Sequence, residues 1–256
     1  MATVNTYPAE TLSNRAVIEL RGDGILPFLN NILTCFVENL NQGALAYGAL
    51  LSPQGKILHD VFIHHAAESV FLDCAVDQRE AFIAKLKLYR LRAKFEIIAR
   101  DDLHVEVGGS GEPDQRHAGL GSRMIVEGVG VGNPTHYDLR RFALGIADSQ
   151  EVGSGKLFPH EANFDLLNAV DFKKGCYIGQ EVVSRMQHRG LARSRILPVT
   201  FEYDQPTDEI RNGDVLLGEI LGRNGKQALA LMRLDRVAEH GMPVGITLTT
   251  PDWMKL

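Results

Sequence analysis

"DFKKGCYIGQEVVSRMQHRG", residues 171–190, is the stretch on which the reading of this chain turns. It sets a cysteine, Cys176, between the basic pair Lys173–Lys174 and the run Tyr177-Ile178-Gly179. Gly175 and Gly179 predict a tight turn, and "QEVVSRMQ" after it predicts a short helix. Cys176 then lies just before a helix amino terminus, where unpaired N–H groups, the helix dipole and the two lysine ammonium groups would all stabilise a thiolate. The competing reading is a buried, inert thiol, the usual state of a free cysteine. A nucleophilic cysteine needs a histidine oriented by Asn or Asp. His160 and Asn163 supply the residue types, but no spacing compels the pairing.

Composition narrows the options around this segment. A chain of 256 residues, 45% hydrophobic and 23% charged, lies in the globular range and can bury its core as one large domain or two. Three cysteines (Cys35, Cys74, Cys176) are too few and too widely spaced for a disulfide framework or a Cys-x-x-Cys metal site, so a reducing compartment is expected and no resident metal. The opening "MATVNTYPAE" has no basic flank or apolar core of signal-peptide length, and no run of about 18 apolar residues occurs. These features predict a soluble, cytoplasmic protein with no membrane partner. A net charge of −5 argues against a whole-surface nucleic-acid footprint.

Upstream, the pattern is α+β. "RAVIELRG" (15–22) alternates, with Ala16, Ile18 and Leu20 on one face, and predicts a half-buried strand. In "DGILPFLNNILTCFVENL" (23–40) Ile25, Leu29, Ile32, Phe36 and Leu40 recur at helical steps, with Asp23 as N-cap and Cys35 as a small buried hydrophobe. Strand runs follow at 44–52, 56–65 and 69–76, the first two joined by a Pro-Gln-Gly turn at 53–55 and the third holding Cys74. A second helix is predicted over 77–91, with Asp77 and Glu80 in capping-box spacing, then strands at 94–100 and 103–109. The order predicts helices packed on one face of an antiparallel sheet.

Between 108 and 155, frequent glycine, proline and charge predict hairpin turns and loops. "VGSGKL" imitates a phosphate loop, but Gln150 stands where its first glycine belongs and Leu157 where Ser or Thr belongs. "GVGVGNP" lacks the dinucleotide-binding spacing, and Pro134 obstructs a helix start. From about Ile196, short strand patterns punctuated by Asn-Gly pairs at 212 and 224 predict a small β-barrel. The division is 1–194 and 195–256, joined by the basic linker "HRGLARSR".

The run from Lys174 to Glu181, with Arg185 four residues on, resembles the K-G-C-Y-x-G-Q-E-x-x-x-R signature of the YgfZ-type folate-binding proteins. "SNRAVIELRGDGILPFLNNILT", "LLSPQGKILHDVFI", "KLYRLRAKFEI" and "FPHEANFD" are similar to other family segments, so the resemblance covers nearly the whole chain. It implies the fold of the glycine cleavage system aminomethyltransferase: a folate-binding α+β body around a central channel, with a carboxyl-terminal antiparallel β-barrel. It also implies a tetrahydrofolate-binding accessory protein for maturation or repair of iron–sulfur proteins, its partners being assembly factors or client cluster enzymes. Mitochondrial relatives serve late in cluster assembly. The alternative is a folate-dependent aminomethyl or one-carbon transferase.

By the same resemblance, Cys176 is the key thiol and Asp60 occupies the position of the enzyme's catalytic aspartate, with His59 replacing the acidic residue before it. Glu161 corresponds to a glutamate near the pterin, and Asn163 is a second polar contact or a turn residue. A carboxylate suits a pterin edge of N–H donors. Lys174, Tyr177, Gln180, Glu181 and Arg185 complete the implied cofactor set. The enzyme lacks the cysteine signature, and this chain lacks the enzyme's H-G-G and F-A-G-W runs. Arg185, His188, Arg189, Arg193 and Arg195 form a basic cluster: a solvated linker one by one, an anion-steering patch together. RNA is not expected as its target.

Overall fold

The computed structural model describes residues 7–190, 192–203 and 207–255. Most of the opening read for a leader, and Leu191 in the linker, lie outside the described residues. A two-residue strand, β1 (Glu10–Thr11), precedes β2 (Arg15–Gly22), α1 (Ile25–Ile32), β3 (Leu45–Leu51), β4 (Ile57–His65), β5 (Ser69–Ala75), α2 (Arg79–Arg90) and β6 (Phe95–Arg100). β2 to β6 form an antiparallel sheet in the order β3-β4-β5-β2-β6. α1 and α2 cover one face, where Leu29, Phe82 and Leu86 pack on Ile18, Val61 and Leu72. β2 is not half-buried as its alternation predicts: Val17, on the opposite face to Ile18, is equally inaccessible, because the rest of the body packs there.

α1 is half the predicted length. Leu33 is extended and bridges Leu50, while the Thr34 N–H donates to the Ala49 carbonyl and its hydroxyl to the Ala169 carbonyl. These cross-chain bonds outweigh the helical periodicity beyond Ile32. Cys35 is buried, though not in a helix. Asp23 is not the cap: the helix starts from Gly24 in the left-handed region. Nor does Asp77 cap α2, which follows a 3-10 turn at Val76–Gln78.

β7 (Leu103–Pro113) pairs with β1 and with β8 (Ser122–Glu127) in a second antiparallel sheet. The stretch read as loops holds two helices, α3 (Thr135–Leu144) and α4 (Ser149–Val152). Pro134 does not obstruct α3; it stands at its N-cap, where a missing N–H costs nothing. α4 is one turn closed by a capping box of Asp148 and Glu151.

α5 (Gln180–Arg189) is the helix predicted after the cysteine turn. Its N-cap, Gly179, has φ 79°, and a Cβ there would lie 2.5 Å from the Ser52 carbonyl oxygen, so α5 starts directly against the β3–β4 turn and only glycine fits. Beyond it, β9 (Ser194–Phe201), β10 (Glu209–Asn212), β11 (Val215–Asn224), β12 (Gln227–Arg233), α6 (Leu234–His240) and β13 (Ile246–Leu248) build the barrel domain, strand order β10-β11-β12-β9-β13. Both Asn-Gly pairs turn hairpins as predicted, with Gly213 and Gly225 at positive φ.

The body holds the barrel by a clasp on β9. The Ile196 N–H donates to the Glu161 carbonyl, the Asn163 amide donates to the Ile196 carbonyl, and Arg195 forms a two-pronged pair with Asp165 at 2.9 and 2.8 Å. Ile196 and Leu229 of the barrel share a cluster with Phe62, Phe164 and Val183 of the body.

Candidate functional site

Cys176 is the one exposed cysteine; Cys35 and Cys74 are buried, and burial pushes both thiols up to about 12. The exposed loop is anchored by its neighbours. The buried Lys174 ammonium donates to the carbonyls of Asn30, Leu33 and Cys35 at 2.6, 2.7 and 2.7 Å, closing the carboxyl-terminal end of α1. Burial lowers its pKa to about 8, which leaves it protonated near neutrality with three protons for three acceptors. Lys174 therefore does not turn its charge toward the thiol or toward a cofactor. Tyr177 is buried against Lys174, its ring 5.3 Å from the ammonium. Glu181 and Arg185 form an exposed pair at 2.6 Å on α5, and Gln180 is half-buried.

Asp60 is built differently. It is 3% exposed, on the face of β4 opposite the helices, and both oxygens are engaged: Oδ1 accepts from the Ser149 hydroxyl, Oδ2 lies 3.2 Å from Arg15 Nη1 and 3.4 Å from the Tyr47 hydroxyl. Arg15 also contacts Ser149 Oγ, pairs with Asp73 at 2.6 Å and lies 3.3 Å from Asp148. Asp73 pairs in turn with Arg123 at 2.5 Å, and Arg116 pairs with Asp114 at 2.8 Å while donating to Tyr137. Phe62 lies beneath three guanidiniums: Arg123 at 3.9 Å, Arg116 at 4.8 Å and Arg15 at 5.7 Å from its ring centre.

Three arginines thus face four aspartates in a water-poor interior. Burial opposes ionisation of Asp73, but Arg123 and Arg15 outweigh it and hold the carboxyl below its usual range. Asp148 follows the same balance with Arg15, Arg116 and Arg123. Burial, then the Asp60 charge, raises the Tyr47 hydroxyl well above its ordinary value.

The network borders a cavity of about 730 Å³ between the end of β4 and β8, lined among others by His64, Phe71, Leu103, Arg123 and Ile125. Arg123 Nη2 and His64 Nε2 are buried there without a hydrogen-bond partner. Burial lowers the imidazole to about 4, so it is neutral at physiological pH. A second cleft of about 440 Å³ is lined by Cys35, Phe36, Tyr47, Gln115 and Phe172.

No hydrogen bond or ion pair among the described residues joins Cys176 to Asp60, Glu161 or Asn163. Asn163 is buried at φ 62°, its amide committed to Ile196 and Arg195. Glu161 accepts from the Phe158 N–H, and His160 hydrogen-bonds Gln187 rather than the thiol. Arg195 leaves the basic cluster for the clasp on β9. Sequence reading missed Arg15, Asp73, Arg116, Arg123 and Ser149; a lone carboxylate inside the apolar run "SVFLDCAV" was the available signal for Asp73. Among the described residues no group of three or more His, Cys, Asp or Glu is arranged to hold a metal ion, and no helix is long and apolar enough to cross a membrane.

This architecture is a mixed α/β body of aminomethyltransferase-like fold carrying an antiparallel β-barrel domain. The solved glycine cleavage system aminomethyltransferase T from Bartonella henselae superposes with a TM-score of 0.68 at 13% identity, covering 89% of this chain and 78% of that one. Residues 193–256 match the family model of the CAF17 C-terminal beta-barrel domain. The chain is similar to the mitochondrial iron–sulfur cluster assembly factor IBA57 homologues of Neurospora crassa (31% identity, 78% of this chain, 55% of that protein) and Pyricularia oryzae (33%, 73% and 56%). It is likewise similar to human IBA57, at 27% over 94% of this chain and 84% of that protein. The chain spans little more than half the length of the two fungal relatives.

Proposed function

We propose that this chain is a tetrahydrofolate-binding accessory protein for iron–sulfur protein maturation, of the YgfZ type, that presents Cys176 to an assembly partner or client enzyme. The observation that carries this reading is one exposed thiol on a loop fixed from beneath by Lys174 and Tyr177. A cluster normally takes four thiolate ligands, and Cys35 and Cys74 are buried, so the remaining ligands come from the partner. The names of the three proteins similar in sequence, each a cluster assembly factor, support the reading.

For folate, the residues fit in part. Asp60 and Asn163 offer no free pairing edge, and Lys174, Glu181 and Arg185 are engaged elsewhere. The cavity beside Arg123 suits the cofactor better: its volume is in the range of ligand pockets, Phe71 supplies an aromatic wall, and the unpartnered Arg123 Nη2 meets a carbonyl or carboxylate oxygen. His64 Nε2 takes whichever role the ligand atom leaves it. A reduced folate would supply an electron-rich pterin or a carried one-carbon unit. The transferase alternative needs an aspartate free to orient a cofactor nitrogen, which Asp60 is not.

The test is Cys176→Ser, assayed in cells on several cluster enzymes alongside tetrahydrofolate titration of the purified protein. Cluster-enzyme activity should fall while folate affinity is retained. Unchanged cluster enzymes would remove the maturation reading, and absence of saturable tetrahydrofolate binding the folate one.

A further inference from the structure

On the α4 side of Asp60 lies a separate cavity of about 460 Å³, lined by Asn14, Asp77, Gln78, Ser149 and Lys156 among others. Its wall includes the "VGSGK" turn, which is no phosphate loop but is pinned to β4: the Gly155 N–H donates to the Ile57 carbonyl, and the Ile57 N–H to the Leu157 carbonyl. Ser149 connects this cavity to the buried network through its bond to Asp60.

Ser149 and Gln78 are committed, to Asp60 and to His59, but three other polar groups of the lining are not. Asn14 Oδ1 is buried without a donor. Lys156 and Asp77 carry no side-chain hydrogen bond or ion pair among the described residues, although both line the cavity. A buried acceptor and a carboxylate call for a cationic donor, while an ammonium calls for an anion.

We propose that this cavity binds a small zwitterion, an amino acid or short peptide, with its ammonium between Asn14 Oδ1 and Asp77 and its carboxylate on Lys156. The site is independent of Cys176 and of the Arg123 cavity. It is tested by calorimetric titration of the full chain with glycine, alanine and glycylglycine, with methylamine and acetate as single-charge controls. At least one zwitterion should bind saturably, at least tenfold more tightly than either control. Asp77→Asn and Lys156→Met, both at exposed positions, should each weaken binding about tenfold or more, since each removes one charge-assisted contact. Cys176→Ser should leave it unchanged. Acetate binding as tightly as the zwitterions, full affinity in Lys156→Met, or no saturable binding by any of the three zwitterions would overturn the proposal.

Discussion

Asp73 pairs with two of the three buried arginines, and Asp73→Asn measures what that bridge contributes. Its two oxygens accept from Arg15 Nε at 2.6 Å and Arg123 Nε at 2.5 Å, all three side chains being fully buried. Asparagine keeps one acceptor oxygen and removes the charge. One charge-assisted bond, worth about 1.5–3 kcal/mol, is lost outright, and the other falls from an ion pair to a guanidinium donating to a neutral amide oxygen. Arg123 keeps Asp114, at 3.9 Å, as its one remaining direct ion-pair partner among the described residues, with Asp148 acting on it at longer range. The expected loss is about 3 kcal/mol for Asp73→Asn and about 5 kcal/mol for Asp73→Ala, the scale of breaking a buried ion pair. Against a typical stability of about 5–15 kcal/mol, the alanine variant approaches unfolding. Urea denaturation gives the difference as a shifted midpoint at unchanged slope. Glu181→Ala, which breaks the exposed pair with Arg185, is the control and should cost less than about 0.5 kcal/mol. An Asp73→Asn loss no larger than this control would refute the account of the interior as a mutually dependent charge network.

Three further outcomes are expected. His64 has a pKa of about 4 in the fold against 6.5 ordinarily, so between those values the unfolded chain holds a proton that the native one does not. Stability should fall as pH drops from 6.5 to 4, by up to about 3 kcal/mol, and His64→Gln should flatten that part of a pH-denaturation profile. Gly179→Ala forces a side chain into the left-handed region and against Ser52, and should lower stability by about 1–3 kcal/mol in thermal melts while changing the alkylation rate of Cys176. Lys174→Met leaves three carbonyls unpaired; amide hydrogen exchange across 171–179 and at the end of α1 should accelerate, and unchanged protection there would mean the lock is not structural.

The strands, α2 and the Asn-Gly hairpins were legible because their signals are local: alternation, helical spacing, turn chemistry. α1 was overread, since its periodicity runs past Ile32 while the bonds that end it come from Ala49 and Ala169. α3 was missed because one of its buried positions is an arginine, Arg141, paired with Glu151 on α4. The site divided along the same line. That Cys176 is presented on a turn before a helix follows from adjacent residues. That Lys174 serves a carbonyl of Cys35, 139 positions away, or that Asp60 is held by Ser149, 89 positions on, depends on tertiary neighbours no motif encodes.

The clasp on β9 has a consequence for how the chain is cut. Glu161, Asn163 and Asp165 leave their partners Arg195 and Ile196 on the far side of α5, so the thiol-bearing segment is a closed loop whose two ends are fastened to each other. Removing the barrel at Gly190 would not yield a smaller version of the same molecule. It would strand the Asp165 carboxylate, the Asn163 amide and the Glu161 carbonyl in the body and free one end of that loop, so that a shortened chain would retain its cysteine and lose the frame that aims it.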